Sequence, residues 1–297
     1  MMNHKDDISK QPMLTRVNEL NRFIGKYVIT RVRHGYDAKK RKFTTLTLSD
    51  ASAVIQVYCD YARYLEAAVT PSYPAFVEVT LLQNGNVYCF WCKYLERCEY
   101  GSAIGNHLSA IPLDLCQSPS SLADLVDLYE QITDCYLREF LTSVLLQPEV
   151  CHKFIQCPAS INYHHNYPGG LLAHSVETAK ILANECFFGT IDKQVAIVAG
   201  LLHDIGKTQT LSPDIQRTQI GKLVDHGQLT LEICAVQLKR LSEQSPYFAN
   251  QLRHAWTCYS PNARFGFKPQ TAVARALQYA DKRSADGALH RPYRLTS

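Results

Sequence analysis

The residue types best suited to chemistry in this 297-residue chain meet in an adjacent pair, His203 and Asp204, within the run 200–207. Imidazole nitrogens and carboxylate oxygens are both ligands for divalent metals, and the two oxygens of one carboxylate are able to bind two ions. Small and apolar residues precede the pair, as in a buried helix, and Ile-Gly-Lys follows it. The pair therefore predicts a metal centre whose remaining ligands come from elsewhere in the chain.

Other residues of the same chemical types recur along the chain, each on a separate predicted helix. Bundle cores are where side chains of facing helices converge on metals, so this distribution favours one shared site. Any one of these histidines taken alone fits a structural or capping role better than a ligand role. The complete set of candidate metal ligands is His174, His203, Asp204, His226, His254 and Asp281.

The segments that must position these residues are predicted to be helical. Apolar residues recur at helical spacing over 122–145, after Ser121, which is expected to cap the first helix. Further helices are predicted over 171–186, 193–204, 222–241, 247–256 and 271–284. Residues 121–297 are therefore predicted to form an all-α domain, preceded by a linker over 111–120.

The first third of the chain instead shows the period-two alternation of β-strands. Five such runs cover 27–33, 43–48, 53–58, 76–82 and 87–95, and 61–69 is predicted to be a short helix. Five strands with a helix between the third and the fourth follow the order of an OB barrel. The predicted fold class is multidomain α+β, with a tail over 1–20, a five-stranded OB-fold barrel over 21–110 and then the all-α bundle.

Composition and charge restrict the function classes. Apolar residues form 46% of the chain and charged residues 20%, which excludes a wholly disordered chain. No apolar run reaches the roughly 20 residues of a membrane-spanning helix, and the polar start lacks a secretory signal, so a cytoplasmic location is expected. The net charge is +4, and residues 1–110 hold all of it, with 14 basic against 10 acidic residues. That bias favours a barrel that faces a polyanion.

The barrel segment resembles the OB modules of nucleic-acid-binding proteins, through 46–50 followed by 54–58. Such barrels stack bases on aromatic side chains and pass phosphates along basic loops. Filling of the barrel and a solvated hairpin tip are the alternative interpretations of the same residues. The stacking candidates are Tyr27, Phe43, Tyr58, Tyr88 and Trp91, and the candidate phosphate-binding residues are Lys39, Lys40, Arg41 and Lys42.

A longer motif precedes the His–Asp pair. The run 164–175 reads His-His-x-x-Pro-Gly-Gly-Leu-Leu-x-His-Ser, after Cys-Pro-Ala-Ser at 157–160. It resembles the HD phosphohydrolase domain of the YhaM-type 3′–5′ exoribonucleases, which also carry an OB module ahead of that domain. The HD domain of TraI-type conjugative relaxases has a similar motif. The resemblance covers residues 24–290 in order and architecture.

The resemblance implies one or two divalent ions, namely Mn, Fe, Ni, Zn or Mg. Two such ions activate water and stabilise both oxygens of an in-line displacement at phosphorus. Relatives often carry a His-His pair where this chain has His254-Ala255, which weakens the second set of ligands. The implied sets are His174, His203, Asp204 and Asp281 for the first ion, and Asp204, His226 and His254 for the second, with Asp204 bridging.

Further roles follow from the same resemblance. The predicted catalytic residues are His203, Asp204 and Lys207, with Lys207 neutralising the scissile phosphate. His164 and His165 are predicted either to bind substrate or to hold the loop before Gly169.

The implied activity is a metal-dependent phosphodiesterase that shortens single-stranded nucleic acid, RNA in preference to DNA, from its 3′ end. No membrane partner is expected, and a homo-oligomer is left open. Two alternatives stay open as well. One is an HD phosphohydrolase of small nucleotides, and the other is a TraI-like nucleic-acid-binding accessory protein of a mobile element.

Overall fold

A computed structural model describes residues 11–84, 87–98, 107–259 and 266–286. The described residues divide into two compact units, one up to residue 115 together with 146–148, the other over 116–145 and from 149 on. A barrel followed by a helical region confirms the predicted fold class. Residues 1–10 of the predicted tail, 99–106 of the predicted barrel domain, and 260–265 and 287–297 of the predicted helical domain lie outside the described residues.

The barrel closes in the strand order β1-β2-β3-β5-β4. Alternating residues pack inward, and the inner set on β2 and β3 includes Leu46, Leu48 and Val57, each fully buried. Neighbouring strands are antiparallel except β3 and β5, which are parallel. The elements are β1 Arg22–Tyr36, β2 Lys42–Ser49, β3 Val54–Asp60, α1 Tyr61–Ala67, β4 Tyr73–Asn84 and β5 Val87–Arg97.

Part of the segment predicted as a tail belongs to the barrel. A 3-10 helix spans Leu14–Glu19, and its apolar residues Leu14 and Val17 lie in the barrel core. The carboxylate of Asp50 accepts a hydrogen bond from the Leu14 N–H at 2.8 Å, which fixes the start of this turn. Two apolar residues three apart are enough to cover one helical face, so this turn packs where a tail was expected.

The segment predicted as a linker is also attached to the barrel over its first half. The N–H of Leu113 donates to the carbonyl oxygen of Asp50 at 3.0 Å. The N–H of Asp114 donates to the Ser49 hydroxyl at 3.1 Å, and the Thr30 hydroxyl donates to the Asp114 carboxylate at 2.6 Å. These bonds end the barrel unit at residue 115.

The helical unit contains the predicted helices together with two that the sequence reasoning did not anticipate, α4 and the short α7. The first helix begins at Pro119 rather than after Ser121, and α8 begins at His226, four residues later than expected. No helix in the described part of the chain is both long and apolar enough to cross a bilayer. The helices are α2 Pro119–Glu130, α3 Cys135–Leu145, α4 Pro148–Gln156, α5 Gly170–Ala183, α6 Thr190–Leu202, α7 Lys207–Thr210, α8 His226–Gln244, α9 Pro246–Thr257 and α10 Ala272–Ala285.

Candidate functional site

His174 and His203 are brought together by close packing of α5 against α6. A Cβ atom at Gly200, on α6, would lie 3.0 Å from the Cα of Ala179 on α5, so the glycine permits this approach. His174 lies in the first half of α5, and His203 directly follows the last residue of α6. As a result, their Nε2 atoms are 3.2 Å apart.

Two carboxylates close the space around these nitrogens. Oδ1 of Asp281, on α10, lies 3.1 Å from Nε2 of His174 and 3.5 Å from Nε2 of His203. Oδ2 of Asp204 lies 3.4 Å from both nitrogens. Two imidazoles and two carboxylates around one point form a donor set that suits Mn, Fe, Ni or Zn. These four residues therefore fit the first predicted ion.

The carboxylates make this point attractive to positive charge. Burial disfavours a charged His203, but the carboxylates of Asp204 and Asp281 outweigh it and raise the pKa of His203 to about 10. Burial acts to raise the pKa of Asp204, yet Lys207 and His203 hold that pKa well below its usual range. Nδ1 of His203 donates to the carbonyl oxygen of Gly200 at 2.8 Å, because that oxygen only accepts. Nε2 of His203 is thereby turned to the carboxylates.

The Asp204 carboxylate also faces a second direction. Its Oδ1 lies 3.1 Å from Nε2 of His226, the first residue of α8. Asp225 caps α8 by accepting the N–H of Gly227 at 2.8 Å, and its other oxygen lies 3.6 Å from Nδ1 of His226. The ammonium of Lys207 lies 2.5 Å from Oδ2 of Asp204. The two oxygens of Asp204 therefore face two different positions, and the role of this carboxylate as a bridge between two ions stays a prediction.

Gly206 sets the distance between the His–Asp pair and α8. A Cβ atom at Gly206 would lie 1.9 Å from the carbonyl oxygen of His226 and 2.8 Å from the nitrogen of Thr230. The Thr230 hydroxyl joins the two segments, because it accepts the Gly206 N–H and donates to the carbonyl oxygen of His203, both at 3.1 Å. A glycine is required at this contact.

Gly206→Ala is expected to move the start of α8 and to separate His226 from Asp204. Overpacking of this kind lowers the free energy of unfolding by about 1–3 kcal/mol. Chemical denaturation measures that loss, and a Mn²⁺ titration is expected to show weaker binding of a second ion. Gly189→Ala is the control, because a Cβ there meets no atom within 4 Å. Unchanged stability and metal binding in Gly206→Ala would contradict this account.

His254 is not joined to the cluster. It lies on α9, and its Nε2 accepts a hydrogen bond from the N–H of Gln270 at 2.8 Å. Among the ion pairs of the described residues, the only histidine seen on Oδ1 of Asp204 is His226. The role of His254 as a ligand of the second ion stays a prediction.

The two histidines predicted to bind substrate occupy different environments. His164 is exposed, so its contact with substrate stays a prediction. His165 is only 9% exposed, and its Nε2 lies 3.1 Å from the carboxylate of Glu177. Its carbonyl oxygen accepts the N–H of Ala159 at 3.0 Å. These contacts favour the alternative that His165 holds the loop before Gly169.

Sequence reasoning missed three residues around the cluster. Thr230 ties α8 to the His–Asp pair, and Glu177 and Ser284 lie behind His174, where the Ser284 hydroxyl is 3.0 Å from Nδ1 of His174. The spacing places two of them on the helix faces of predicted ligands, because Glu177 follows His174 by three residues and Ser284 follows Asp281 by three, but it does not indicate that they contact His174. Residues three apart share a helix face.

In the barrel, the basic run at 39–42 lies at the turn between β1 and β2. Asp37 closes that turn by accepting the N–H groups of Lys39 and Arg41 at 2.9 and 2.8 Å, and it pairs with the Arg41 guanidinium at 2.7 Å. The Lys42 ammonium lies 3.7 Å from the centre of the Tyr61 ring. Lys39 and Lys40 are exposed. Binding of phosphate by these four residues stays a prediction.

The aromatic candidates divide between core and surface. Tyr27 is 2% exposed and its hydroxyl donates to the carbonyl oxygen of Pro12 at 2.6 Å, so it fills the barrel. Tyr58 is half-buried on the outer side of β3, level with Trp91 on β5, and its ring centre is 5.8 Å from that of Phe43. Tyr88 is 60% exposed. Three of these rings thus share one outer surface of the barrel.

Two arginines border these rings. Arg31 and Arg33 on β1 are exposed and pair in register with Thr47 and Thr45 on β2, so they point to the same outer side. In turn, Thr45 pairs with Tyr58 on β3. We call this surface the barrel face, and it consists of Arg31, Arg33, Phe43, Tyr58 and Trp91. Its two arginines were not among the sequence candidates.

Residues 171–286 match the HD-domain family, so the chain contains an HD domain. The residues that converge in the structure, His174, His203, Asp204 and Asp281, all fall within that match. The helical fold and the four converging residues therefore agree with an HD domain whose cluster is able to hold a divalent metal.

Curated relatives are more specific. The chain is 29% identical over 178 residues to the 3′-5′ exoribonuclease YhaM of Shouchella clausii, covering 59% of this chain and 54% of the relative. It is 27% identical over 143 residues to YhaM of Bacillus subtilis, covering 45% and 44%. It is 35% identical over 97 residues to dihydroneopterin 2′,3′-cyclic phosphate phosphodiesterase of Methanocaldococcus jannaschii, covering 28% and 39%. The predicted resemblance to YhaM is confirmed. The chain covers between 39% and 54% of the length of these relatives.

Proposed function

We propose that this protein is a metal-dependent phosphodiesterase that removes nucleotides from the 3′ end of single-stranded RNA. The observation that carries the proposal is the convergence of two imidazoles and two carboxylates from three segments of the helical unit, with Nε2 of His174 3.1 Å from Asp281. A second support is the identity to YhaM exoribonucleases over up to 59% of the chain.

In this proposal, His174, His203, Asp204 and Asp281 hold one divalent cation, and Asp204 with His226 and His254 holds a second. A bound cation of this kind supplies Lewis-acid stabilisation of phosphoryl oxygens and activates water for attack at phosphorus. The bond that breaks joins phosphorus to O3′ of the preceding nucleotide, and that oxygen takes a proton. A nucleoside 5′-monophosphate is released, and a shorter strand with a free 3′-hydroxyl remains.

Lys207 is proposed to act on the phosphate. Its ammonium pairs with the Asp204 carboxylate, and its side chain is 19% exposed, so it lies at the edge of the cluster. If Asp204 held a cation, the charge of its carboxylate would be offset and its attraction for the Lys207 ammonium would be weaker. Lys207 is then available to the negative scissile phosphate, whose charge it offsets.

The barrel face is proposed to hold the strand. Aromatic rings provide stacking surfaces for bases of any sequence, and arginines pair with phosphates. The barrel face presents both, since Arg31 and Arg33 border the rings of Phe43, Tyr58 and Trp91. The exposed Lys39 and Lys40 extend the positive charge at one end of β1 and β2.

The direct test is a 5′-labelled single-stranded RNA incubated with the protein and Mn²⁺. The expected product is a ladder of 5′-labelled fragments shortened from the 3′ end, and chelation of the metal with EDTA is expected to stop it. The same RNA carrying a 3′-phosphate, which blocks the end, is the control. Strand binding with no shortening under any divalent ion would overturn the proposal and favour an accessory protein that binds nucleic acid without cutting it.

A second candidate function has a specific observation in its favour. The relative with 35% identity is named as a phosphodiesterase of a 2′,3′-cyclic phosphate, a small substrate. If this chain acts on such substrates, it is expected to open a nucleoside 2′,3′-cyclic phosphate without needing the barrel face. Hydrolysis of that compound at a rate above RNA shortening would favour the second candidate.

A further inference from the structure

A buried chain of hydrogen bonds lies behind His174, on the side away from the other ligands. The Ser284 hydroxyl is 3.0 Å from Nδ1 of His174 and 2.9 Å from the carboxylate of Glu177. The same oxygen of Glu177 lies 3.1 Å from Nε2 of His165, whose Nδ1 is 3.1 Å from the Tyr167 hydroxyl. Ser284 is fully buried and His174 is 4% exposed, so solvent does not substitute for these partners.

The chemistry of the groups fixes the direction of the two bonds at Ser284. An ionised carboxylate only accepts hydrogen bonds, so the single hydroxyl proton of Ser284 is donated to Glu177. The hydroxyl oxygen then has only lone pairs left for His174, and it must accept a proton from Nδ1 of that ring. His174 is thereby held as the tautomer with its proton on Nδ1.

This tautomer leaves Nε2 of His174 with a lone pair, and Nε2 is the atom that lies 3.1 Å from Asp281 and 3.2 Å from Nε2 of His203. Only an unprotonated nitrogen binds a metal. We propose that Ser284 and Glu177 are positioning residues that hold His174 in its metal-binding tautomer and ring orientation. This inference rests on the metal site of the proposed function.

Loss of such an outer partner lowers metal affinity by about 10–100-fold in sites of this kind. Ser284→Ala removes the acceptor for Nδ1–H, so the proton is free to move to Nε2 and to block the ligand atom. Glu177→Met removes the group that orients the Ser284 hydroxyl, which is then able to donate to Nδ1. Both changes act on His174 without touching the ligand itself.

The experiment is a calorimetric titration of the metal-free full-length protein with Mn²⁺. Ser284→Ala is expected to weaken binding of the first ion about 10–100-fold relative to the parent. Ser175→Ala is the matched control, because the Ser175 hydroxyl is as fully buried and has no hydrogen-bond partner in the described part of the chain. It removes an equal volume and is expected to leave Mn²⁺ affinity unchanged.

The tautomer is measured directly by NMR of the metal-free protein labelled with ¹⁵N-histidine, with the His174 signals assigned by their loss in His174→Gln. The parent is expected to keep a proton on Nδ1 of His174, and Ser284→Ala and Glu177→Met are expected to lose that Nδ1 proton in favour of Nε2–H. Equal Mn²⁺ affinity and the same tautomer in the parent and in Ser284→Ala would overturn the inference and leave the proposed function intact. An equal loss of affinity in Ser175→Ala would overturn it too. A parent protein that binds no Mn²⁺ would instead remove the proposed function.

Discussion

Asp204→Asn is expected to reduce the rate of RNA shortening by about 10³-fold or more, which corresponds to about 4 kcal/mol of transition-state stabilisation. Among the residues that the structure describes, Asp204 is the carboxylate that faces both predicted ion positions, with Oδ2 toward His174 and His203 and Oδ1 toward His226. An amide keeps the shape of the side chain but lacks the charge that holds cations. Loss of the Asp204 charge is therefore expected to weaken the binding of both ions.

Elemental analysis and the labelled-RNA assay measure the two consequences of Asp204→Asn together. The parent is expected to carry up to two equivalents of metal and Asp204→Asn fewer than one. His226→Ala is expected to lose only the second metal ion, because His226 faces Oδ1 of Asp204 and not Oδ2. Asp127→Asn is the control, since Asp127 is an exposed aspartate of α2 away from the cluster. Undiminished shortening by Asp204→Asn would falsify the assignment of this site.

The same substitution leaves the Lys207 ammonium without its carboxylate, and an unpaired, largely buried charge is destabilising. Thermal unfolding must therefore accompany the assay. Asp281→Asn gives an independent test, because the Asp281 side chain is 47% exposed and its substitution leaves the Lys207–Asp204 ion pair in place. Asp281→Asn is expected to weaken binding of the first ion while leaving the fold intact. Full activity in a folded Asp281→Asn protein would contradict the first ion's ligand set.

The ligands that the sequence revealed are those whose type and local context are distinctive. His203 and Asp204 stand at the end of an apolar helix, and Gly206 follows where α8 must approach within van der Waals contact. Such features are predictable from the sequence because they depend on neighbouring residues. The barrel was predictable for a similar reason, because inward and outward residues alternate along every strand.

What the sequence did not reveal depends on distant partners. Ser284 contacts a histidine 110 residues away, and no local pattern of a single serine predicts that. The sequence predicts the start of α8 four residues too early, because no residue of 222–224 is incompatible with a helix. In the structure, Asp225 caps the helix and α8 begins at His226. Helix α4 was missed although Val150 and Phe154 are four residues apart and both buried, because the segment is short and begins with proline.

Arg31→Ala combined with Arg33→Ala and Tyr58→Ala is expected to nearly abolish binding of single-stranded RNA. Removing one stacking ring costs about 1–3 kcal/mol, or roughly 5–150-fold in affinity. Each arginine that leaves a phosphate changes the slope of log affinity against log salt by about 0.7 for single strands. The triple variant is therefore expected to bind more weakly and with a salt dependence flatter by about 1.4.

Fluorescence anisotropy with a labelled oligonucleotide, in EDTA and at several salt concentrations, measures both quantities without turnover. Arg16→Ala combined with Arg22→Ala is the control for charge. It removes two arginines from the same unit, but neither lies on the barrel face, and the Arg22–Glu78 pair is a surface pair. Surface pairs contribute at most about 1 kcal/mol to stability. Equal losses of affinity in the triple variant and in the Arg16→Ala, Arg22→Ala control would mean that net charge, and not the barrel face, holds the strand.

The triple variant also separates the two candidate functions, because the barrel face and the metal cluster belong to different units of the chain. A phosphodiesterase that depends on the barrel face to hold its strand is expected to lose RNA shortening in the triple variant. A nucleoside 2′,3′-cyclic phosphate is too small to need that surface, so any hydrolysis of it by the parent is expected to be unchanged in the triple variant. Parental hydrolysis of RNA by the triple variant would show instead that the helical unit alone binds its substrate. The barrel face would then have no part in RNA shortening.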